Sequence, residues 1–339
     1  MAERILNIGL VGAGRMGRLH AENIARRIPN ARLHSVADVN EQAARLCASL
    51  HGECECVSTH LEMLDDPRLD AVVICSATDT HSQIIQDAAR AGKHIFCEKP
   101  VALTLAETDA ALCAVRDANV KLQLGFNRRF DATFRRVYDA RASGEIGEPH
   151  LLHIISRDPA PPPLEYVKTS GGIFLDMTIH DFDMARFLLG AEVEQVYARA
   201  NVLIQPAIGE LGDYDTAMVM LNFTNGALAT IENSRQAVYG YDQRVELLGS
   251  RGGVSSENHF PNAVTISNAN FVRRDLPLNF FLERYITSYF HEMNAFVDAV
   301  LDDTPVPVSG DDGRIALVLG LAAKKSIEEN CPVRVDEIA

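Results

Sequence analysis

The sequence predicts an α/β protein with a doubly wound parallel sheet in its N-terminal half and a second α/β domain in its C-terminal half. Short apolar runs alternate with helical patterns over the first 125 residues, which is typical of a parallel sheet covered by helices on both faces. Segments of alternating polarity recur between residues 193 and 249, as expected of a half-buried sheet. A chain of 339 residues usually forms more than one core, so we predict two domains, 1–125 and 126–339.

Each element is predicted from its local pattern. In the first domain we expect strands at 5–11, 31–40, 70–78, 94–100 and 120–126, and helices at 18–28, 41–51, 81–93 and 105–119. In the second, the proline-rich segment 158–163 predicts an extended loop, and an apolar segment predicts one helix over 173–189 ended by Gly190. Strands are expected at 193–203, 214–222, 227–236 and 243–249, and helices at 285–303 and from about 311 to 330.

Composition argues against two broad classes of function. The chain has 46 acidic and 32 basic side chains, and this balance disfavours general nucleic-acid binding, which requires a basic surface. No run approaches the roughly eighteen apolar residues of a membrane span, and the N-terminus lacks a signal-peptide pattern. Seven cysteines without zinc-finger spacing indicate reduced thiols, so we expect a cytoplasmic protein.

A glycine-rich loop between the first strand and the first helix predicts a dinucleotide site. The loop reads Gly12-Ala13-Gly14-Arg15-Met16-Gly17. In this pattern the first glycine makes the tight turn, the second lets the backbone approach a pyrophosphate, and the third lets helix and strand pack closely. The helix N-terminus then offers unpaired N–H groups to the phosphates.

Asp38, at the end of the second strand, favours NAD over NADP. It lies about twenty residues beyond the last glycine, where a carboxylate accepts hydrogen bonds from the adenosine ribose and repels a 2′-phosphate. Arg15 inside the glycine-rich loop and Arg45 near Asp38 leave NADP open as the alternative cofactor.

Lys99 ends a buried strand in the sequence Glu98-Lys99-Pro100, at the edge of the sheet where the cofactor is expected. An ammonium there could polarise a substrate hydroxyl and stabilise developing negative charge. The alternative is a surface lysine paired with Glu98, since such pairs are common.

The segment GGIFLDMTIHDFD, residues 171–183, places three aspartates and one histidine in an apolar run, which predicts a site. On one helix, Asp176 would lie one turn before His180 and could hold its ring, leaving the other nitrogen to accept a proton from an alcohol. A divalent metal site and an ordinary buried Asp–His pair are the alternatives. The upstream dinucleotide site favours the general base.

These motifs resemble the Gfo/Idh/MocA oxidoreductases over essentially the whole chain. The likeness is carried by the glycine-rich loop, Glu98-Lys99-Pro100 and Asp176-x-x-x-His180-Asp181, and within the family GFNRRFD, GGIFLDMTIHDFD and YGYDQRVE resemble bacterial inositol 2-dehydrogenases. The resemblance implies a Rossmann domain, then an α/β domain whose open, mostly antiparallel sheet commonly builds a tetramer. It places Lys99, Asp176 and His180 at the catalytic positions, with NAD as hydride acceptor, an inosose ketone as product and no metal.

The resemblance also implies two sets of binding residues. Those for the cofactor are Gly12, Gly14, Arg15, Met16, Gly17, Asp38, Val39, Ala77, Thr78, His81, Glu98 and Lys99. Those for the substrate are Asn127, Arg128, Arg157, Asp158, Asp176, His180 and Tyr239, with Arg157 and Asp158 on the loop after the first strand of the second domain. The chain departs from the family pattern at 158–163 and at 76–81. A scyllo-inositol or aldose dehydrogenase and a non-catalytic NAD sensor remain the alternative functions.

Overall fold

The computed structural model describes residues 4–338, and the chain divides into two compact units. The first comprises Met1–Asn127 and Thr287–Leu317, and the second comprises Arg128–Ile286 and Val318–Ala339. Two long helices, Phe281–Leu301 and Gly310–Glu329, each contribute residues to both units.

The first unit alternates strands and helices along the chain. Its elements are β1 (Leu6–Val11), α1 (Arg15–Arg26), β2 (Ala31–Ala37), α2 (Glu41–Ser49), β3 (Glu55–Cys56), α3 (His60–Leu64), β4 (Ala71–Ile74), α4 (Thr78–Arg90), β5 (His94–Glu98), α5 (Leu105–Asp117) and β6 (Leu122–Gly125). All five predicted strands are present, and the short β3 and α3 were not predicted. Helix α4 begins at Thr78 rather than at residue 81, which brings Thr78 into its first turn.

The six strands form one sheet in the order β3-β2-β1-β4-β5-β6. All its strand pairs are parallel, which confirms the prediction of a parallel sheet. The order reverses between β1 and β4, and ligands bind parallel sheets beyond the strand C-termini at such a switch point. Buried residues of β1 pack with Phe96 and with Met293, Phe296 and Val297 from the first long helix. This core fixes the loop after β1 on a rigid support.

The second unit is built on a seven-stranded sheet. A 3₁₀ turn (Asn127–Phe130) lies at the boundary between the units. The elements of the second unit are then α6 (Ala132–Ala142), β7 (Pro149–Arg157), α7 (Leu164–Val167), α8 (Ile173–Asp176), α9 (Thr178–Leu189), β8 (Val193–Asn201), α10 (Pro206–Glu210), β9 (Thr216–Phe223), β10 (Leu228–Ser234), β11 (Asp242–Gly249), β12 (Gly252–Ser255), β13 (Thr265–Ser267), β14 (Val272–Arg274), β15 (Val333–Arg334) and a 3₁₀ turn (Val335–Glu337). The two long helices that both units share are α11 (Phe281–Leu301) and α12 (Gly310–Glu329).

This sheet has the order β12-β11-β7-β10-β9-β8-β15, and only the β7–β10 pair is parallel. The prediction of an open, mostly antiparallel sheet is therefore confirmed. Arg157 is the last residue of β7 itself, so its predicted placement on the following loop was wrong.

The helix predicted over residues 173–189 is in fact two segments, α8 and α9, that meet at Met177. Next to this junction the Thr178 hydroxyl donates to Asn233 Oδ1 on β10 at 2.6 Å, a tertiary bond that periodicity does not reveal. The end at Gly190 is confirmed, because this glycine has the left-handed φ of 64° that suits a helix C-terminus. Asp176 therefore ends one segment, and His180 lies in the first turn of the next.

Candidate active site

The glycine-rich loop has the geometry of a phosphate site. A Cβ on Gly12, whose φ is 97°, would lie 2.6 Å from the Cys75 backbone, and one on Gly17 would lie 1.8 Å from the Gly12 carbonyl oxygen. Both glycines are therefore required for packing. A Cβ on Gly14 would meet no described atom within 4 Å, so this glycine leaves the backbone open to a ligand. No side chain caps α1, which begins at Arg15, so its first N–H groups can bind an anion.

Asp38 lies beside this loop, one residue beyond β2. Its Oδ2 accepts a hydrogen bond from the Ala13 N–H at 2.6 Å, and its Oδ1 accepts one from the Asn40 N–H at 2.7 Å. The bond to Ala13 ties the carboxylate to the loop and was not foreseen from the sequence. The neighbouring Val39 side chain is fully exposed.

His81 holds two loops of the same sheet edge together. Its Nδ1 lies 2.8 Å from the Pro100 carbonyl oxygen and its Nε2 lies 3.1 Å from that of Ser76. Burial lowers the pKa of this imidazole, against the two carbonyls that raise it. Ala77 precedes α4 and Thr78 begins it. His81 thus joins the loop after β4 to the loop after β5, and its contact with the cofactor stays a prediction.

The Glu98-Lys99-Pro100 motif lies at the C-terminal end of β5, as predicted, and the Lys99–Pro100 peptide is cis. Glu98 Oε1 lies 2.8 Å from His20 Nε2 on α1. Sequence analysis offered Lys99 as the partner of Glu98 in one alternative, and it did not predict the contact with His20. Asn127, just beyond β6, is buried, and its side-chain nitrogen has no hydrogen-bond partner among the described residues.

In the second unit, three aspartates of the 171–183 segment are each paired with an arginine. Arg128 Nη1 donates to Asp181 Oδ1 at 2.5 Å, and Arg129 Nη2 donates to Asp183 Oδ1 at 2.6 Å. Arg235 Nη1 donates to Asp176 Oδ2 at 3.3 Å. These pairs explain how an apolar run carries so many charges.

A tyrosine also contacts Asp176: Tyr166 on α7 donates its hydroxyl to Asp176 Oδ1 at 2.7 Å. Arg235, which is only 1% exposed, also approaches Asp213 Oδ2 at 3.5 Å, and Asp213 Oδ1 accepts from the Ile173 N–H at the start of α8. Tyr166, Arg235 and Asp213 were missed by sequence reasoning, because no spacing motif connects them to Asp176. They hold the carboxylate in place.

Arg128, predicted to contact the substrate, is buried and belongs to a polar layer under α9. The second oxygen of its partner Asp181 accepts from Asn233 Nδ2 at 2.7 Å, and Arg128 Nη2 lies 3.3 Å from Ser156 Oγ. Burial lowers the pKa of the guanidinium, but the nearby Tyr285, Asp181 and Tyr241 together outweigh burial, so the pKa is raised. The structure therefore gives Arg128 a supporting position, and a direct substrate contact stays a prediction.

Arg157 and Tyr239 contact each other. Arg157 Nη1 donates to the Tyr239 hydroxyl at 2.5 Å, and that hydroxyl donates to Asp242 Oδ2 at 2.6 Å. Arg157 also forms an ion pair with Glu232 on β10. The sequence placed Arg157 and Tyr239 in one site from resemblance, and the structure brings them together.

Asp158 is half-buried, and the pKa of its carboxyl is raised to about 6, first by loss of water around the group and then by the negative charge of Asp176. Between about pH 4 and pH 6 the folded protein keeps a proton that the unfolded chain releases, so this group makes stability fall as the pH rises through that window. Above pH 6 the cost is constant.

Replacing Asp158 by asparagine should therefore stabilise the protein more at pH 7.5 than at pH 4. We expect the difference in free energy of unfolding between variant and wild type to grow by up to about 3 kcal/mol across that range. Urea denaturation at several pH values measures it. A difference that does not change with pH would show that Asp158 does not titrate in this way.

Within residues 4–338, none of the helices has the length and apolar character needed to cross a membrane.

The first unit is a parallel sheet with a glycine-rich loop at its switch point, and the second α/β unit of the same chain holds an Asp–His segment. Together these features define a dinucleotide-dependent oxidoreductase. The chain belongs to the Gfo/Idh/MocA family. Residues 6–126 match the family's NAD-binding Rossmann fold, and residues 134–255 match its C-terminal domain. The resemblance read from the motifs is confirmed.

Named relatives match the chain along nearly its full length. It is 48% identical over 333 residues to a myo-inositol 2-dehydrogenase of Thermotoga maritima, covering 98% of this chain and 99% of that protein. It is 46% identical to an inositol 2-dehydrogenase of Rhizobium meliloti, covering 97% and 99%. A crystal structure of scyllo-inositol dehydrogenase from Lactobacillus casei with bound NAD(H) and scyllo-inositol superposes with a TM-score of 0.91 at 31% identity, covering 98% and 100%.

Proposed function

We propose that this protein oxidises a ring hydroxyl of a cyclic polyol with NAD, and that its preferred reaction converts myo-inositol to 2-keto-myo-inositol. The observation that carries the proposal is the 48% identity to a myo-inositol 2-dehydrogenase over 98% of the chain. The matched stretch of this chain includes Lys99, Asp176 and His180.

In the proposed mechanism His180 removes the proton of the hydroxyl that is oxidised. Asp176, which Tyr166 and Arg235 hold in place, orients the imidazole and takes part in relaying the proton. Lys99 positions the same hydroxyl oxygen and stabilises its developing negative charge. NAD, when bound, accepts the hydride from the ring carbon.

For the cofactor we propose that Gly12, Gly14, Arg15, Met16 and Gly17 hold the pyrophosphate. The open space at Gly14 and the uncapped start of α1 support this. We propose further that Asp38 and Val39 bind the adenosine half, and that Ala77, Thr78, His81, Glu98 and Lys99 line the nicotinamide half.

The substrate's other hydroxyls require several fixed hydrogen-bonding groups, because a site built to bond them rejects analogues that lack them. We propose Asn127, Arg128, Arg157, Asp158 and Tyr239 for this role, together with the catalytic residues. The buried, unpartnered amide nitrogen of Asn127 supports its part as a donor.

Formation of reduced nicotinamide, followed by absorbance, tests the proposal with myo-inositol, scyllo-inositol and glucose, each with NAD and with NADP. We expect the highest kcat/KM with myo-inositol and NAD. A preference for scyllo-inositol or glucose would favour the neighbouring sugar or polyol dehydrogenase function, and faster turnover with NADP would refute the role given to Asp38. Absence of reduction with every substrate would favour an NAD sensor.

We also propose that the chain forms a homotetramer through the outer face of its seven-stranded sheet. Leu248 on β11, Leu151 on β7 and Leu228 on β10 are exposed and lie in register across three neighbouring strands, and Met218 and Met220 on β9 are exposed as well. Contiguous apolar surface of this kind is typical of an interface.

Replacing Leu151 by glutamate should break this assembly, because a charge at the centre of an apolar interface loses its water without gaining a partner. We expect light scattering to give the mass of a tetramer for the wild type and a smaller species for the variant. Leu203, which is exposed outside the sheet, provides the control: Leu203→Glu should remain tetrameric. A monomeric wild type would refute the proposal.

For the compartment we propose the cytoplasm. All seven cysteines are unbridged in the described chain, as expected of a reducing environment. The proposed substrate and cofactor are small polar molecules, which fits an enzyme of the cell interior.

A further inference from the structure

Helix α11 carries a glutamate on its core-facing side. Tyr289, Met293, Phe296 and Val300 lie at helical spacing around Glu292 and are buried, and Glu292 is itself 0% exposed. A carboxylate in such a position is costly to bury as an anion unless it is paired. The mechanism above does not use this residue.

Glu292 belongs to a buried cluster within the first unit. A ring nitrogen of His20 and one carboxylate oxygen each from Glu98 and Glu292 all lie within 4.8 Å of one another. Glu98 is hydrogen-bonded to His20, whereas neither carboxylate oxygen of Glu292 has a hydrogen-bond partner among the described residues. A Cβ on Gly125 would lie 2.9 Å from Glu98 Oε2, so glycine on the neighbouring strand leaves room for this carboxylate.

A second carboxylate this close disfavours ionisation of a fully buried carboxyl group. Glu292 is the fully buried one, and burial, followed by the charge of Glu98, raises its pKa well above the usual range. Two thiols, those of Cys75 and Cys97, also face the cluster, and burial raises the pKa of both. The Tyr289 ring packs edge-on against His20. Glu292 is therefore the member of the pair that holds the proton.

The spacing also bears on whether the cluster holds a metal ion. His20 Nε2 and Glu98 Oε1 are 2.8 Å apart, a hydrogen-bond distance. A bound cation would need the lone pairs of both atoms and would hold them farther apart. The short distance between His20 and Glu98 therefore favours a hydrogen bond between these side chains over a shared metal ion.

We propose that Glu292 is a positioning residue: it directs its carboxyl O–H dipole at Glu98 and keeps the Glu98 side chain in place for the nicotinamide ribose. The inference rests on the proposed function in one respect, namely the contact of Glu98 with NAD. Glu292 acts through Glu98 and does not itself reach the cofactor.

Two substitutions of Glu292 in the full-length protein test this. Glu292→Gln keeps a neutral N–H donor of the same shape, and we expect its Kd for NAD to stay within about twofold of wild type. Glu292→Met keeps the volume without the donor, and we expect Kd to rise about tenfold. In a Glu98→Gln background, Glu292→Met should have no further effect. Asp298→Asn, an exposed carboxylate on the same helix, is the matched control.

Infrared difference spectra provide a readout that does not depend on the cofactor: wild type should show the band of a protonated carboxylic acid that Glu292→Gln lacks. Neither the Kd for NAD nor the infrared spectrum depends on polyol oxidation. The test therefore remains valid even if the protein does not oxidise myo-inositol. Unchanged NAD affinity in a folded Glu292→Met variant would overturn the inference. The inference would also be overturned if Glu292→Gln bound NAD as weakly as Glu292→Met, or if the infrared band of the protonated acid were absent. A stoichiometric metal ion found by elemental analysis would overturn it as well.

Discussion

Replacing His180 by alanine should lower kcat for myo-inositol oxidation by about 10³-fold while leaving the Kd for NAD within about twofold. Positioned general bases contribute roughly 10²–10⁴-fold, because without them the hydroxyl proton must leave to water. Since the proposed pyrophosphate and adenosine contacts lie on the first unit, removal of an imidazole from α9 does not disturb them. Steady-state kinetics with NAD titrations separate the two effects.

His150→Ala, which removes an exposed histidine on β7 of the same unit, is the control and should keep wild-type turnover. The double variant His180→Ala, Lys99→Met adds a sharper test. If both side chains act on one hydroxyl, the losses in kcat will be far from additive, because each group depends on the other. Fully additive losses, or an unchanged rate in His180→Ala, would remove His180 from the role of base.

Replacing Arg128 by methionine should destabilise the protein by about 3–5 kcal/mol, because Asp181 would remain in the core as an unpaired charge. Asp181 is 0% exposed, and its other bond, from Asn233, does not supply a counter-charge. Urea denaturation should show a lower midpoint, and raising the acidity should recover part of the loss as Asp181 is protonated. Burial already raises the pKa of this carboxyl.

An exposed pair on α6 serves as the comparison. Arg135 donates to Asp139 one helical turn away, and Arg135→Met should cost less than about 0.5 kcal/mol. The double variant Arg128→Met, Asp181→Leu should be more stable than Arg128→Met alone, because it removes the orphaned charge. If Arg128→Met cost no more than Arg135→Met, the buried pair would not support α9 as described.

Local patterns predicted most of the fold. Alternating apolar and helical segments located the strands of the parallel sheet, and the glycine-rich loop fell between β1 and α1 as expected. The loop could be predicted because Gly12 and Gly17 are required by close contacts with the Cys75 backbone and with the Gly12 carbonyl, while Gly14 leaves the backbone open to a ligand. The helix over 173–189 was wrong in its continuity, because the bond from Thr178 to Asn233 joins residues 55 positions apart.

The partners of the site residues could not be predicted for the same reason. The ion pair from Arg235 to Asp176 spans 59 positions, and that from Arg128 to Asp181 spans 53. Residue types in the 171–183 segment indicated that its charges needed partners, but only the fold determines which arginine reaches which carboxylate. Glu292 was not singled out either. It lies in a helix correctly predicted to be part of the core, and a single acidic residue among apolar ones forms no recognisable motif.

The most direct test of the proposed chemistry uses myo-inositol that carries deuterium on carbon 2, incubated with the protein and NAD. The proposed reaction moves that hydrogen with its electron pair to the nicotinamide, while the hydroxyl proton leaves through His180. We expect one deuterium per reduced cofactor, located at C4 of the nicotinamide ring by mass spectrometry and NMR. Reduced cofactor without deuterium, or deuterium released to water without any reduced cofactor, would contradict hydride transfer from this carbon.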